Sequence, residues 1–202
     1  MTKNRSKNEA KRKQILDAAT VLFTEQGYAA TSMDLIASKA DVSKQTVYSH
    51  FGNKEDLFSA SIQFKCDSYH ILDATLEDLS NPTKALTQLA QRFLSILMSK
   101  EALAVHKVCA FESKTYPQLS ELFYEAGPER FTNDVATIMT MLNKKNILAI
   151  PNARTAAIQF LNLMKGEAYL RVEFNTKKQL TQLEIENYLQ SSVELFMKGY
   201  AV

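Results

Sequence analysis

The chain has no tryptophan, only five glycines and four prolines, two cysteines and three histidines in 202 residues. Each shortage excludes something. So few glycines and prolines cannot supply the many turns of a β-sandwich or barrel. Cys66 and Cys109 stand alone, with neither a Cys-x-x-Cys pair nor a Cys/His ligand spacing. They read as two reduced, partly buried thiols, a redox or metal sensor being the alternative. His50, His70 and His106 are scattered, and His70 and His106 have no evident Asp or Cys partner. There is no Gly-rich phosphate loop and no nucleophile motif, so neither an enzyme nor a metal or cofactor site is expected. No window approaches the roughly 18 apolar residues of a membrane span, and no apolar run follows the basic N-terminus. No membrane contact is expected, and the chain reads as soluble and cytoplasmic.

What is present points to helices. Hydrophobic residues make up 46% of the chain, enough for a core in one large domain or two small ones. Ala, Leu, Lys, Glu and Gln dominate, so an all-α fold of about nine helices is expected. The net charge of +2 is unevenly spread. Residues 1–50 hold eight Lys/Arg against five Asp/Glu, and residues 1–13 hold six against one. By itself such an arm is a solvated, disordered tail; in front of a DNA-binding motif it can also reach a phosphate or the minor groove.

Apolar spacing predicts a first helix over 11–26, stopped by Gly27. A long helix is expected from Lys54 to about Leu79, ended by the Ser80-Asn81-Pro82-Thr83 breaker. Further helices are expected over 83–98, 101–114, 118–142 with a break at Gly127-Pro128, 152–174 and 178–198. The last two are apolar on more than one face. They need cover on both sides; a second copy of the chain is the expected cover, as a four-helix bundle across a two-fold axis, the alternative being the other helices of the same chain.

The stretch from Thr31 to Phe51 reads as two short helices and a tight turn. Thr31 or Ser32 can cap the first, with Met33, Ile36, Ala37 and Ala40 on one face. Asp41-Val42 makes the turn and Ser43 caps the second helix. Val42, Val47 and Phe51 look inward, while Lys44, Gln45, Thr46, Tyr48, Ser49 and His50 look outward. That outward face suits the DNA major groove. Gln45 can bond adenine bidentately, Lys44 can reach guanine or a phosphate, and the Thr46 methyl can meet thymine. The plain alternative is a solvated helix face. Lys54, at the start of the next helix, can neutralise a phosphate.

Val42-Ser43-Lys44-Gln45-Thr46-Val47-Tyr48-Ser49-His50-Phe51, followed by Lys54-Glu55-Asp56-Leu57-Phe58, resembles the DNA-binding domain of the TetR family of bacterial repressors. The resemblance implies that Thr31, Tyr48 and Lys54 touch phosphates and that Lys44, Gln45, Thr46 and His50 lie at or near base edges. With the capping Ser43, these form the expected DNA-binding set. The segment from Val105 to Arg130, with Tyr116-Pro-Gln-Leu119 and Phe123-Tyr-Glu-Ala-Gly-Pro-Glu-Arg130, is similar to regulators of the AefR type, and Ala156-Ala-Ile-Gln-Phe-Leu161 continues the likeness. It implies a ligand-responsive repressor near efflux or stress genes.

Two domains follow: 1–52 for operator DNA, preceded by the basic arm, and 53–202 for effector binding and dimerisation. A small, largely apolar effector is expected among Phe93, Leu97, Cys109, Phe111, Phe123, Phe160 and Met164, with His106, Glu112 or Asn162 orienting a polar group. An aromatic or Met stripe at helical spacing is otherwise plain core. The long fourth helix is the expected lever between effector and DNA. The rival reading is a DNA-bound interaction protein without an effector.

Overall fold

The computed structural model describes residues 2–67 and 80–202, with side chains from Asn8 onward except that of Glu112. Among these residues there is no strand. The helices are α1 (Thr2–Ala30), α2 (Met33–Lys39), α3 (Lys44–Phe51), α4 (Lys54–Asp67), α5 (Pro82–Leu97), α6 (Lys100–Glu112), α7 (Pro117–Tyr124), α8 (Arg130–Lys144), α9 (Ala153–Glu173) and α10 (Gln182–Gly199). A π-helical turn, Glu125–Glu129, joins α7 to α8, so the described residues hold nine helical runs. No described helix is long and apolar enough to cross a membrane. The stretch expected to extend α4 to Leu79 lies outside the described residues beyond Asp67.

The chain divides into two compact units. The first comprises residues 1–68 and 104–128, and the second residues 69–103 and 129–202. Packing therefore does not follow chain order, because 104–128 belongs with the N-terminal helices.

In the first unit, Ile15, Ala19, Leu22 and Phe23 of α1 pack with Ile36, Val47, Leu57 and Phe58, and with Cys109 and Leu119. Gly27 ends the regular part of α1 through a left-handed φ of 81°. The turn places Tyr28 against Phe23, with ring centroids 5.8 Å apart, and edge-on to Phe58 at 5.3 Å. Tyr116, ahead of α7, meets Tyr28 edge-on at 5.9 Å. Burying Phe58 alone contributes about 1.5–3 kcal/mol.

Three expectations about this unit change. The basic N-terminal stretch is helical from Thr2, not a disordered tail, because α1 continues backward from Lys11 without a breaker. Gly127-Pro128 does not break the helix. The π turn takes up the missing proline N–H within one wide turn, while the buried Gly127 faces Ile62. Phe111 does not face inward but is 90% exposed.

The second unit packs Leu86, Leu89, Phe93 and Leu94 of α5 with Val135, Ile138 and Leu142 of α8, Ala157, Phe160 and Met164 of α9, and Leu189, Val193 and Phe196 of α10. Asn152 caps α9 through Thr155 N–H at 2.9 Å. α10 starts at Gln182 rather than Lys178, because Thr181 and Glu184 form a reciprocal capping box there.

Sequence periodicity does not reveal the kink in α9. Gly166 has φ 54° and ψ −165° inside that helix. The Tyr188 ring of α10 lies against the bare Gly166 Cα, and its hydroxyl donates to the Leu163 carbonyl at 2.7 Å. A Cβ on Gly166 would lie 2.7 Å from Tyr188 Cζ. Gly166→Ala combines backbone strain with ring overlap and is expected to cost about 2–4 kcal/mol in denaturant unfolding. Gly199, with open space around its Cα, is the control. Equal stability of both Ala variants would contradict this account of the kink.

Candidate nucleic-acid interface

The α2–turn–α3 segment is built from caps and a one-sided core. Ser32, rather than Thr31, caps α2, its hydroxyl oxygen accepting from Leu35 N–H at 3.1 Å. Met33, Ile36 and Ala37 turn inward. Asp41 reverses the chain with φ 52°, a left-handed conformation that a short polar residue tolerates. Val42 N–H then donates back to the Ala37 carbonyl at 3.0 Å, closing the turn.

Ser43 caps α3 by accepting from Thr46 N–H at 3.1 Å, and the Ser43 and Thr46 hydroxyls lie 2.8 Å apart. Val47 and Phe51 anchor α3 in the core. Gln45, Tyr48 and Ser49 stay exposed, and Thr46 and His50 are half-buried. One face of α3 is therefore apolar and covered, while the other carries donors and acceptors.

Gly52 ends α3, and Asn53 caps α4. The Asn53 side-chain oxygen accepts from Asp56 N–H at 2.7 Å, and its amide donates to the Asp56 carboxylate at 2.9 Å. Lys54, at the head of α4, places its ammonium 4.1 Å from the Tyr28 ring centroid. The Arg12 guanidinium of α1 lies 5.2 Å from the Phe51 ring centroid, which brings a cation of the basic stretch to the end of α3.

Lys44 is not a free cation. Its Nζ lies 2.7 and 3.0 Å from the two carboxylate oxygens of Asp34 in the first turn of α2. The hydrogen bond and charge of Asp34 raise the Lys44 ammonium above the usual lysine range.

Seven of the eight expected DNA-binding residues gather around α3 and the start of α4. They are Ser43, Lys44, Gln45, Thr46, Tyr48, His50 and Lys54. Thr31 departs from its expected role. It is 1% exposed, and its hydroxyl donates to the Gly27 carbonyl at 2.8 Å. It holds the turn after α1 rather than offering a hydroxyl to phosphate. Asp34 and Arg12 escape sequence reasoning, because their partners are ten and 39 positions away with no local pattern linking them.

The expected effector residues divide between the two units. Phe93, Phe160 and Met164 are buried in the second unit's core, with Leu97 packed against it. There Phe93 meets Phe131 at 5.2 Å and Phe160 meets Phe196 at 5.1 Å. Cys109 is buried in the first unit's core, where His106 and Phe123 lie 6.1 Å apart. The Glu112 side chain lies outside the described residues. Among the described residues no three His, Cys, Asp or Glu side chains gather to hold a metal.

Residues 15–61 match the bacterial regulatory proteins of the tetR family, and residues 84–202 match the AefR-like transcriptional repressor C-terminal domain. The chain is similar to the crystal structure of a TetR-family transcriptional regulator from Mesorhizobium loti. That likeness has a TM-score of 0.82 and 30% identity, over 96% of this chain and 98% of that one. It is similar to the flavonoid-responsive regulator FrrA at 34% identity and a TM-score of 0.77, over 95% and 97% of the two chains. The transcriptional regulator HbdR of Aromatoleum sp. is 33% identical over 44% of this chain. The matched stretch spans only 39% of HbdR's own length.

The capping geometry is directly testable. Ser43→Ala removes the acceptor for Thr46 N–H and is expected to cost about 1 kcal/mol in denaturant unfolding, whereas Ser43→Asn keeps the cap. If Asn fails to rescue, the side-chain cap is not what the position needs.

Proposed function

Because the chain belongs to the TetR family of bacterial regulatory proteins, with an AefR-like C-terminal domain, we propose that it represses transcription by inserting α3 into the major groove of an operator and is released by a small, largely apolar effector. Members of the family are transcriptional regulators rather than enzymes, and they bind operator DNA, usually as homodimers with small-molecule effectors. One observation carries the DNA reading for this chain. α3 buries Val47 and Phe51 while leaving Gln45, Tyr48 and Ser49 in solvent. A helix with one apolar, covered face and one face of short polar groups is suited to reading base edges.

In this reading, Gln45, Thr46 and His50 lie at base edges, and Tyr48 and Lys54 meet phosphates. Lys44 stands beside them in its pair with Asp34. Ser43 and Thr31 act one step back, by shaping the helix start and the turn before α2. The functional division is 1–52 for DNA and 53–202 for effector and dimer. The basic stretch of α1 adds sequence-independent attraction to the phosphates.

Dimerisation through α9 and α10 is supported by what those helices leave uncovered. Ile158 and Leu170 of α9, and Leu183 and Leu195 of α10, are 41–66% exposed. These residues, opposite a fully formed core, supply the apolar area that a two-fold bundle buries. A dimer also doubles the few base pairs that one helix can read.

FrrA's flavonoid response makes flavonoids the first effector class to try. The regulated genes are proposed to serve efflux or stress. The complete burial of Phe160 and Met164 also favours a second reading, a DNA-bound interaction protein whose core admits no effector.

Fluorescence anisotropy on the duplex upstream of the chain's own gene, with a scrambled duplex as control, tests the proposal. Gln45→Ala is expected to lose about 1–3 kcal/mol on the operator only. Lys54→Ala is expected to weaken both duplexes alike and to reduce the salt slope by about 0.9. A Gln45→Ala loss equal on both duplexes argues against base reading at that position. Flavonoids that release the protein support the effector reading, and a panel that neither releases it nor shifts its Tm supports the effector-free one.

A further inference from the structure

We infer that Asp34 is a specificity-determining residue, which holds Lys44 in an intramolecular ion pair and so withholds a cation from indiscriminate phosphate binding. The inference rests on α3 being the DNA-reading helix. Lys44 is the first residue of α3, and Asp34 belongs to the first turn of α2. The Lys44 ammonium lies between both Asp34 carboxylate oxygens, at 2.7 and 3.0 Å. Both side chains are more than half exposed, so the pair sits in solvent beside the reading face, not in the core. The N-terminus of α2 favours a carboxylate at that place, because unpaired backbone N–H groups carry partial positive charge there.

A DNA phosphate competes with Asp34 for the same ammonium. To contact phosphate, Lys44 must leave its partner and expose the Asp34 carboxylate to the polyanion. Non-specific binding is almost wholly electrostatic, so it bears this cost in full. In this proposal the operator complex keeps Lys44 on Asp34 and gains its extra affinity from base contacts by Gln45 and its neighbours. The pair therefore lowers affinity for arbitrary sequence more than for the operator, widening the ratio on which site selection depends. Removing Asp34 frees one cation and deletes one anion, both acting mainly on the non-specific complex. The cation of Lys44 itself is unchanged by the substitution, since lysine stays protonated at neutral pH.

The experiment compares the wild-type chain with Asp34→Asn, Lys44→Gln and the double variant. Each is titrated by anisotropy across a salt series. The probes are a duplex selected by the wild-type chain from a randomised pool and a scrambled duplex of equal length. Asp34→Asn is expected to tighten the scrambled duplex several-fold and to steepen its salt slope by about 0.9, the equivalent of one added phosphate contact. The selected duplex changes less, so the ratio of affinities falls. In the Lys44→Gln background the same Asn substitution is expected to give a markedly smaller gain. An equal gain with and without Lys44 means that Asp34 acts by simple repulsion and overturns the proposal. So does an unchanged ratio. A wild-type chain that enriches no sequence from the pool instead removes the DNA-reading premise, which separates the two failures.

Discussion

The first unit depends on the contact among Phe23, Tyr28 and Phe58. Phe23 and Phe58 meet edge to face at 5.1 Å, and Tyr28 touches both. This cluster joins the end of α1 to α4, and it forms only because Gly27 lets the chain swing Tyr28 back onto the helix it has just left. Once Tyr28 is seated, the head of α4 is positioned, and Lys54 lies over the ring face rather than loose in solvent. Tyr116 completes the cluster at its edge, so the segment ahead of α7 shares the core that supports the recognition helix.

Within α3, polar residues of similar chemistry do different work. Ser43 and Thr46 organise the helix start, and the Ser49 hydroxyl donates back to the Thr46 carbonyl at 2.8 Å. Lys44 is paired across the turn with Asp34. Gln45 and Tyr48 remain turned to solvent, which concentrates the groups suited to reading DNA in the first two turns. Helix α3 has only eight residues, too short to be stable alone, so Val47 and Phe51 in the core hold it in place.

The second unit obeys a different constraint. α9 and α10 supply a buried inner face and leave Ile158, Leu170, Leu183 and Leu195 exposed, and they are locked together where Tyr188 lies on Gly166. Beside the kink, the Tyr188 hydroxyl donates to the Leu163 carbonyl. Helix packing here thus includes a specific polar contact where the backbone leaves its regular path.

Much of this was legible in the chain itself. Apolar spacing located the helices, Ser43 marked a cap, and the run from Val42 to Phe58 carried the family likeness, because these depend on neighbours within a few residues. The inward residues of α2 and α3 follow from the 3.6-residue period alone. Other features lay beyond local pattern. Thr31 reads as a cap, yet it is buried and bonded to Gly27. The expected effector residues are shared between two cores, because residues 104–128 pack with the N-terminal helices rather than with their chain neighbours. The Asp34–Lys44 pair, the Arg12–Phe51 contact and the fit of Tyr188 on Gly166 each join residues that only the folded chain brings close. Sequence determined the elements and the polar face of α3, since periodicity and capping are local. Tertiary structure decided which of those polar groups are already engaged, since that depends on distances across turns and between helices.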